Sequence, residues 1–282
     1  MTLRAPAGPP VTGPYAASLH GADLVFARAL AEQAGALLMD RYERVLSISH
    51  KSAKDVVTEV DHLSEELILG AIRSRYPGDG ILAEESGEHH VIPGEEASLG
   101  RGRTWVIDPI DGTINYANGI PFFCVAIGLV EDGVPVAGVV HDPARGETFG
   151  AVADGPATLD ERPVSASSKD KLSDYVVSLA LGGKGVATRA RATRRAIRVS
   201  RNMGSAALSL AYVANGRFDA MVQSTGLSAW DVAAAGLIAV RGGALVTASD
   251  GRPWFDITRP KREFGVIAAP PAHHEALRQL VT

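Results

Sequence analysis

The chain alternates between two kinds of hydrophobic pattern. From Asp23 to Tyr42, apolar residues recur at Phe26, Leu30, Ala34, Leu37 and Leu38, which is helical spacing. Leu63, Leu67, Ile68, Ala71 and Ile72 predict a second helix with one apolar face, ended by Pro77-Gly78. "GILAEES" (80–86) reads as a short strand running into Glu84 and Glu85, and "TWVID" (104–108) as another ending at Asp108. Between Phe122 and Val152, apolar runs cut by "EDG" and "ARGE" predict an antiparallel meander. The polar stretch "DERPVSASSKDK" (160–171) marks a boundary. Beyond it, strands and helices alternate: strand "DYVVSLAL", an Arg-bearing helix over 187–198, helix "GSAALSLAYVANG" closed by Gly216, and strand "RFDAMVQ". Helix "WDVAAAGLIAVRGG", strands "ALVTA" and "FGVIAA", and a closing helix over 272–281 complete the pattern. The expected organisation is a loose tail over 1–20, an α+β half over 21–158 and an α/β half over 159–282.

Composition narrows the function classes. The 282 residues are 46% hydrophobic and 21% charged, as in ordinary globular proteins. A net charge of −4 argues against nucleic acid or an acidic membrane surface as partner. No apolar window is long enough to span a bilayer, and the Pro-, Gly- and Ala-rich N-terminus lacks a signal-peptide core. The lone Cys124, inside "PFFCVAIGLV", reads as a buried thiol in a reducing, cytoplasmic setting.

The chemistry lies in acids at predicted element ends. Asp61 closes "KSAKDVVTEVD", Glu84 and Glu85 end a strand, Asp108 ends the next, Asp111 opens a helix-like turn, and Asp231 opens "WDVAAAG". Taken singly, each is as well explained as a helix cap. Together they need a cation, and an all-oxygen donor set suits a hard ion, Mg²⁺ foremost. The hexad Asp108-Pro-Ile-Asp111-Gly-Thr113 goes further. Gly112 permits close backbone approach, and the N–H groups of Gly112 and Thr113 at a helix start suit phosphate oxygens. Carboxylates, metal, phosphate and amides would stack in that order.

Five segments, "KSAKDVVTEVD" (51–61), "AEES" (83–86), "DPIDGTINY" (108–116), "RNMGSAA" (201–207) and "WDVAAAG" (230–236), occur in the order that resembles the inositol monophosphatase family of Mg²⁺-dependent, lithium-sensitive phosphatases. The resemblance covers residues 21–282. It implies a layered αβαβα sandwich, of the type shared with fructose-1,6-bisphosphatase, and two to three Mg²⁺ ions. The implied metal ligands are Glu84, Asp108, the Ile110 carbonyl, Asp111 and Asp231. It implies that Asp61 and Thr113, with Glu84, form the catalytic set that orients the attacking water, between metal ions about 4 Å apart. Asp111, Gly112, Thr113, Gly204, Ser205, Ala206, Gln223 and Asp231 would line the substrate, and Lys51, Glu85 and Arg201 would support the ligands from behind. Relatives acting on inositol commonly carry a Glu where Gln223 stands, and "QSTGLSAWD" has one extra residue, so either Gln223 or Ser224 faces the substrate.

The expected function is a phosphomonoesterase acting on myo-inositol 1-phosphate, in a homodimer. Alternative substrates are histidinol phosphate, fructose 1,6-bisphosphate and 3′-phosphoadenosine 5′-phosphate, and a non-enzymatic partner of the transcription machinery is the alternative class. Six arginines between Arg189 and Arg201 read as a solvated helix face rather than a nucleic-acid patch or a second-phosphate clamp. His89-His90 and His273-His274 read as exposed, without zinc-binding spacing. "GGKG" (182–185) lacks the full P-loop pattern.

Overall fold

The computed structural model describes residues 13–43, 48–52, 55–89, 101–259 and 261–282, with only the backbone for 48–52, 55–58 and 88–89. Residues 1–12 of the expected 1–20 tail, the Lys51 and His89 side chains and His90 lie outside the described residues. The rest of that stretch is not loose, because Tyr15 is buried and its hydroxyl donates to the Gly150 carbonyl at 2.8 Å.

Helix α1 (Gly21–Arg41), a hairpin of β1 (Ile48–Ser52) and β2 (Asp55–Thr58), and helix α2 (Glu59–Arg75) come first. Strands β3 (Gly80–Ala83), β4 (Gly87–His89), β5 (Arg103–Asp111), β6 (Cys124–Glu131), β7 (Val134–Asp142), β8 (Glu147–Val152), β9 (Thr158–Leu159) and β10 (Arg162–Pro163) then build one sheet, with the short helix α3 (Thr113–Ala117) after β5. Its order is β10-β9-β8-β7-β6-β5-β3-β4, antiparallel except for the β3–β5 pair. The second sheet, β12-β11-β13-β15-β14, uses β11 (Val176–Ala180), β12 (Val199–Arg201), β13 (Ala220–Leu227), β14 (Leu245–Ala248) and β15 (Phe264–Ala269). Helices α4 (Val186–Ala196), α5 (Ala206–Ala214), α6 (Ala229–Arg241) and α7 (Pro271–Val281) intervene.

Strand alternation sorts the side chains into layers. Trp105, Ile107, Val125, Ile127 and Val139 pack with α1 and α2 on one face of the first sheet. Val106, Ala126, Val130 and Val140 point the other way, onto α5 and α6. Those helices also cover Met221, Val266 and Ala268 of the second sheet, whose far face packs Val177, Val222 and Ile267 with α7. The result is the αβαβα sandwich.

Helix α6 is apolar on every side because both of its faces meet a sheet. Every residue from Ala229 to Ala239 is buried except Asp231. Its small residues let it approach closely: a Cβ at Gly138 of β7 would lie 2.7 Å from Ala234 Cα and 2.8 Å from Ala234 O. Among the described residues, no helix is long and apolar enough to cross a membrane.

Some elements differ from the sequence expectation. Helix α2 buries Val60, Asp61, Ser64, Glu65, Ile68, Leu69 and Ile72, whereas Leu63 is 37% exposed. The inward face therefore includes a carboxylate pair but not Leu63, while Leu67 is half-buried against the core. Asp61, expected at an element end, lies in the first turn of α2. Strand β5 runs on to Asp111, so Asp111 is a strand residue and the helix starts only at Thr113. The stretch 160–171 still contributes β10 to the first sheet, and the chain crosses to the second sheet between Pro163 and Val176. His274 is buried, its Nε2 within 3.1 Å of Thr247 Oγ1 and 3.3 Å of the Ile267 carbonyl, because α7 lays it against the second sheet.

Candidate active site

In a regular strand, residues three apart point to opposite faces. Asp108 pairs with Ala126 and Asp111 with Cys124, so three steps on β5 answer two on β6. This is a β-bulge, and the extra residue returns Asp111 to the face that Asp108 occupies. That face looks toward the first turn of α6. One oxygen each from Asp108, Asp111 and Asp231 lies within 4.8 Å of the others.

Each acid is held by its own element. Asp108 Oδ1 accepts from the Ile110 N–H at 3.1 Å. Asp111 Oδ2 accepts from Ser205 Oγ and the Ala207 N–H, both at 2.6 Å, at the start of α5. Ser205 Oγ also caps that helix through the Leu208 N–H at 3.3 Å. Asp231 forms a capping box with Ser228, whose N–H it accepts at 2.6 Å. Glu84, at the exit of β3, shares a side-chain hydrogen bond with Asp108.

Crowding sets the electrostatics. Burial, then the charges of Glu84, Asp111 and Asp231, raises the Asp108 carboxyl well above its usual range. Burial raises Asp111 too, against the hydrogen bonds from Ser205 and the α5 amides. Burial and Asp111 push Asp231 up to about 7. A set of carboxylates this close, all oxygen and all disfavoured as anions, fits a hard divalent cation.

This gives a pH prediction. A carboxyl whose folded pKa is raised binds protons more tightly folded than unfolded, so its contribution is greatest below about 3.8 and is lost as pH climbs through about 7. In chelator, wild-type protein should therefore lose melting temperature relative to Asp231→Asn between pH 5 and 8. Melting curves of the two proteins check this, and a constant difference across that range would contradict it.

The acids line a cavity of about 470 Å³. Glu84, Asp108, Ile110, Asp111, Gly112, Thr113, Gly204, Ser205, Ala206, Gln223 and Asp231 all reach its wall. Gly112 has φ of 102°, and a Cβ there would sit 3.1 Å from the Phe122 carbonyl oxygen, so glycine suits both backbone and space. Thr113 Oγ1 lies 3.2 Å from Asp61 Oδ1 and 3.0 Å from the Ile110 carbonyl. Asp61 thus stands one bond behind the wall. Gln223 lines the cavity with its Nε2 donating at 3.4 Å to the Thr225 carbonyl, while Ser224 Oγ turns away to accept from the Gly182 N–H.

Other expected residues fall elsewhere. Glu85 lies behind the site, its N–H donating to Glu65 Oε2 at 2.9 Å. Arg201 is exposed on edge strand β12, its guanidinium bonded to the Ser200 carbonyl, and is not part of the cavity wall. Arg189 departs from the solvated face: it donates to the Val281, Gly182 and Lys184 carbonyls, pinning α4 to the chain end. Cys124 is fully buried with Sγ 3.9 Å from Asp111 Oδ2, and burial beside Asp111 and Asp108 keeps its thiol protonated.

Sequence reading missed several residues. Glu65 accepts the Glu85 and Ser86 N–H groups, each at 2.9 Å, and so holds the turn that carries Glu84. Its signal was the four-residue spacing from Asp61 on one helix face. Asn115 Nδ2 donates to the Phe122 and Met203 carbonyls at 2.7 Å, joining α3 to the turn before α5. Ser178, Asn202, Ser209, Lys261 and Arg262 also reach the wall, without a sequence signal.

Residues 22–282 match the sequence model of the inositol monophosphatase family. The chain belongs to that family. Family members are metal-dependent phosphatases, and the acid cluster fits that chemistry. An inositol-1-monophosphatase of Mesorhizobium japonicum is 36% identical over 73% of this chain and 77% of its own. A Nus factor SuhB of Xylella fastidiosa is 36% identical over 75% of this chain and 76% of its own. The extragenic suppressor protein suhB of Bartonella henselae superposes with a TM-score of 0.83 at 32% identity, covering 93% of this chain and 98% of that one.

Proposed function

We propose that the chain is a Mg²⁺-dependent phosphomonoesterase of small sugar or polyol phosphates, with myo-inositol 1-phosphate as a substrate. The observation that carries this reading is the convergence of Asp108, Asp111 and Asp231 within 4.8 Å at the wall of a polar cavity. Those three, with Glu84 and the Ile110 carbonyl, would hold the ions. When bound, Mg²⁺ supplies Lewis acidity toward the phosphate and lowers the pKa of water.

The chain's own groups do the rest. The Gly112 and Thr113 N–H groups receive phosphate oxygens. Thr113 Oγ1 donates to Asp61, which leaves its lone pairs to accept a hydrogen bond from the attacking water and fixes that water's direction. The proton the water loses can pass to the Thr113 hydroxyl as that hydroxyl gives its own to Asp61. Ser205, Ala206 and Gln223 face the alcohol.

The test is inorganic phosphate release from inositol 1-phosphate, histidinol phosphate, fructose 1,6-bisphosphate and 3′-phosphoadenosine 5′-phosphate. Release should require Mg²⁺ and be inhibited by Li⁺, a small hard cation suited to the same oxygens. Equal release in chelator would overturn the reading.

Gln223 offers a finer test. Its amide is loosely held, so Gln223→Glu should grip a ring hydroxyl more strongly and lower KM for inositol 1-phosphate about fivefold, with little change in kcat. A ring hydroxyl is remote from phosphorus, so the gain is shared by ground and transition states. Steady-state kinetics with an unaltered KM would remove Gln223 from the contact surface.

A further inference from the structure

Lys261 and Arg262 place two cations on the cavity wall, beside a site otherwise built from acids, hydroxyls and amides. Arg262 is fastened there. Its N–H donates to Ser228 Oγ at 3.1 Å, and its carbonyl accepts from the Gly226 N–H at 3.1 Å. Ser228 is the N-cap residue of α6, whose first turn carries Asp231. The fastening holds Arg262 at φ of +64°, a left-handed conformation that non-glycine residues seldom adopt and that persists where surrounding contacts enforce it. Lys261 comes next to it, with Nζ 4.9 Å from the centroid of the Trp230 ring. Among the described residues, no carboxylate forms an ion pair with Lys261. An ammonium held over an aromatic face keeps its full charge for a ligand.

A neutral polyol does not account for this wall. Hydroxyls are served by the amide of Gln223 and the hydroxyls of Ser178 and Ser209, which share the cavity. The Lys261 ammonium over Trp230, with the neighbouring Arg262, whose charge also acts on Asp231, matches an anion on the alcohol portion of the substrate. The volume of about 470 Å³ has room for such a group beyond the phosphate at the acid cluster.

We propose that Lys261 and Arg262 form a subsite for a second anionic group, phosphate or carboxylate, carried on the alcohol of the phosphate monoester. This rests on the phosphatase reading and makes the doubly anionic esters the preferred class within it.

Two matched pairs test the subsite: fructose 1,6-bisphosphate against fructose 1-phosphate, and 3-phosphoglycerate against glycerol 3-phosphate. Within each pair only the second anion differs. Affinities are read by calorimetry with Ca²⁺ in place of Mg²⁺, and kcat/KM by phosphate release with Mg²⁺. The doubly anionic member should be favoured about tenfold, Lys261→Met should erase most of that ratio, and Lys261→Arg should keep it. A preference confined to one pair assigns the second anion as phosphate or as carboxylate. Equal affinities within both pairs, or a ratio unchanged in Lys261→Met, would overturn the subsite. Loss of the phosphatase reading would appear separately, as no phosphate release while the calorimetric ratio is still read.

Discussion

Asp108→Asn should reduce phosphate release by at least about a thousandfold while the protein remains folded. Asp108 stands at the centre of the acid cluster, hydrogen-bonded to Glu84 and close to both Asp111 and Asp231. An amide in its place removes a charge that a divalent cation needs from the middle of the ligand set, and loss of such an electrostatic centre costs orders of magnitude in rate. The same change relieves repulsion among buried carboxylates. In chelator, the variant should therefore melt above the wild type, since active-site crowding is paid for in stability. Turnover with Mg²⁺ and melting with and without chelator are the measurements. Near-normal turnover by a folded variant would place the metal elsewhere.

Gly138→Ala should lower stability by about 3 kcal/mol, a melting-temperature drop of roughly 5 °C for a chain of this size. The added methyl group would lie 2.7 Å from Ala234 Cα and 2.8 Å from Ala234 O, and both are backbone atoms that no rotamer change can move aside. Helix α6 must retreat from β7. Asp231 is in the first turn of that helix, so the retreat also pulls one acid away from the cluster and turnover should fall with stability. Gly70→Ala is the control. It lies inside α2 with open space at its Cβ, and alanine there should stabilise by about 0.5–1 kcal/mol. Thermal melts of both variants decide, and equal effects would mean that the close approach of α6 carries no strain.

Much of the layered fold was legible because its elements are regular. The long apolar run of α6 and the meander β6–β8 are patterns with a single period, and such patterns survive into the structure. The acids were legible as residue types, but their meeting was not. Asp108 and Asp111 share a face only through the bulge at 109–110, a one-residue departure from strand period that periodicity cannot register. The burial of His274 and the position of Lys261 depend on what another segment places opposite them, α7 against β15 in one case and the first turn of α6 in the other. The α2 error has a similar origin. Leu63 fits the apolar spacing, yet Asp61, Ser64 and Glu65 turn inward because the loops near β5 and after β3 supply them with hydrogen-bond partners.

The place of α6 in the chain bears on how the protein is made. Val106, Ala126, Val140 and Phe149 of the first sheet are covered by α5 and α6, which are encoded more than forty and more than sixty residues after that sheet is complete. At ordinary translation rates the sheet waits roughly ten seconds for its cover. Until then one face of a largely antiparallel sheet is an apolar surface open to any other nascent chain. Slowing synthesis between Pro163 and Ala229 should lengthen this exposure and increase chaperone association, whereas the same delay after Arg241 should not.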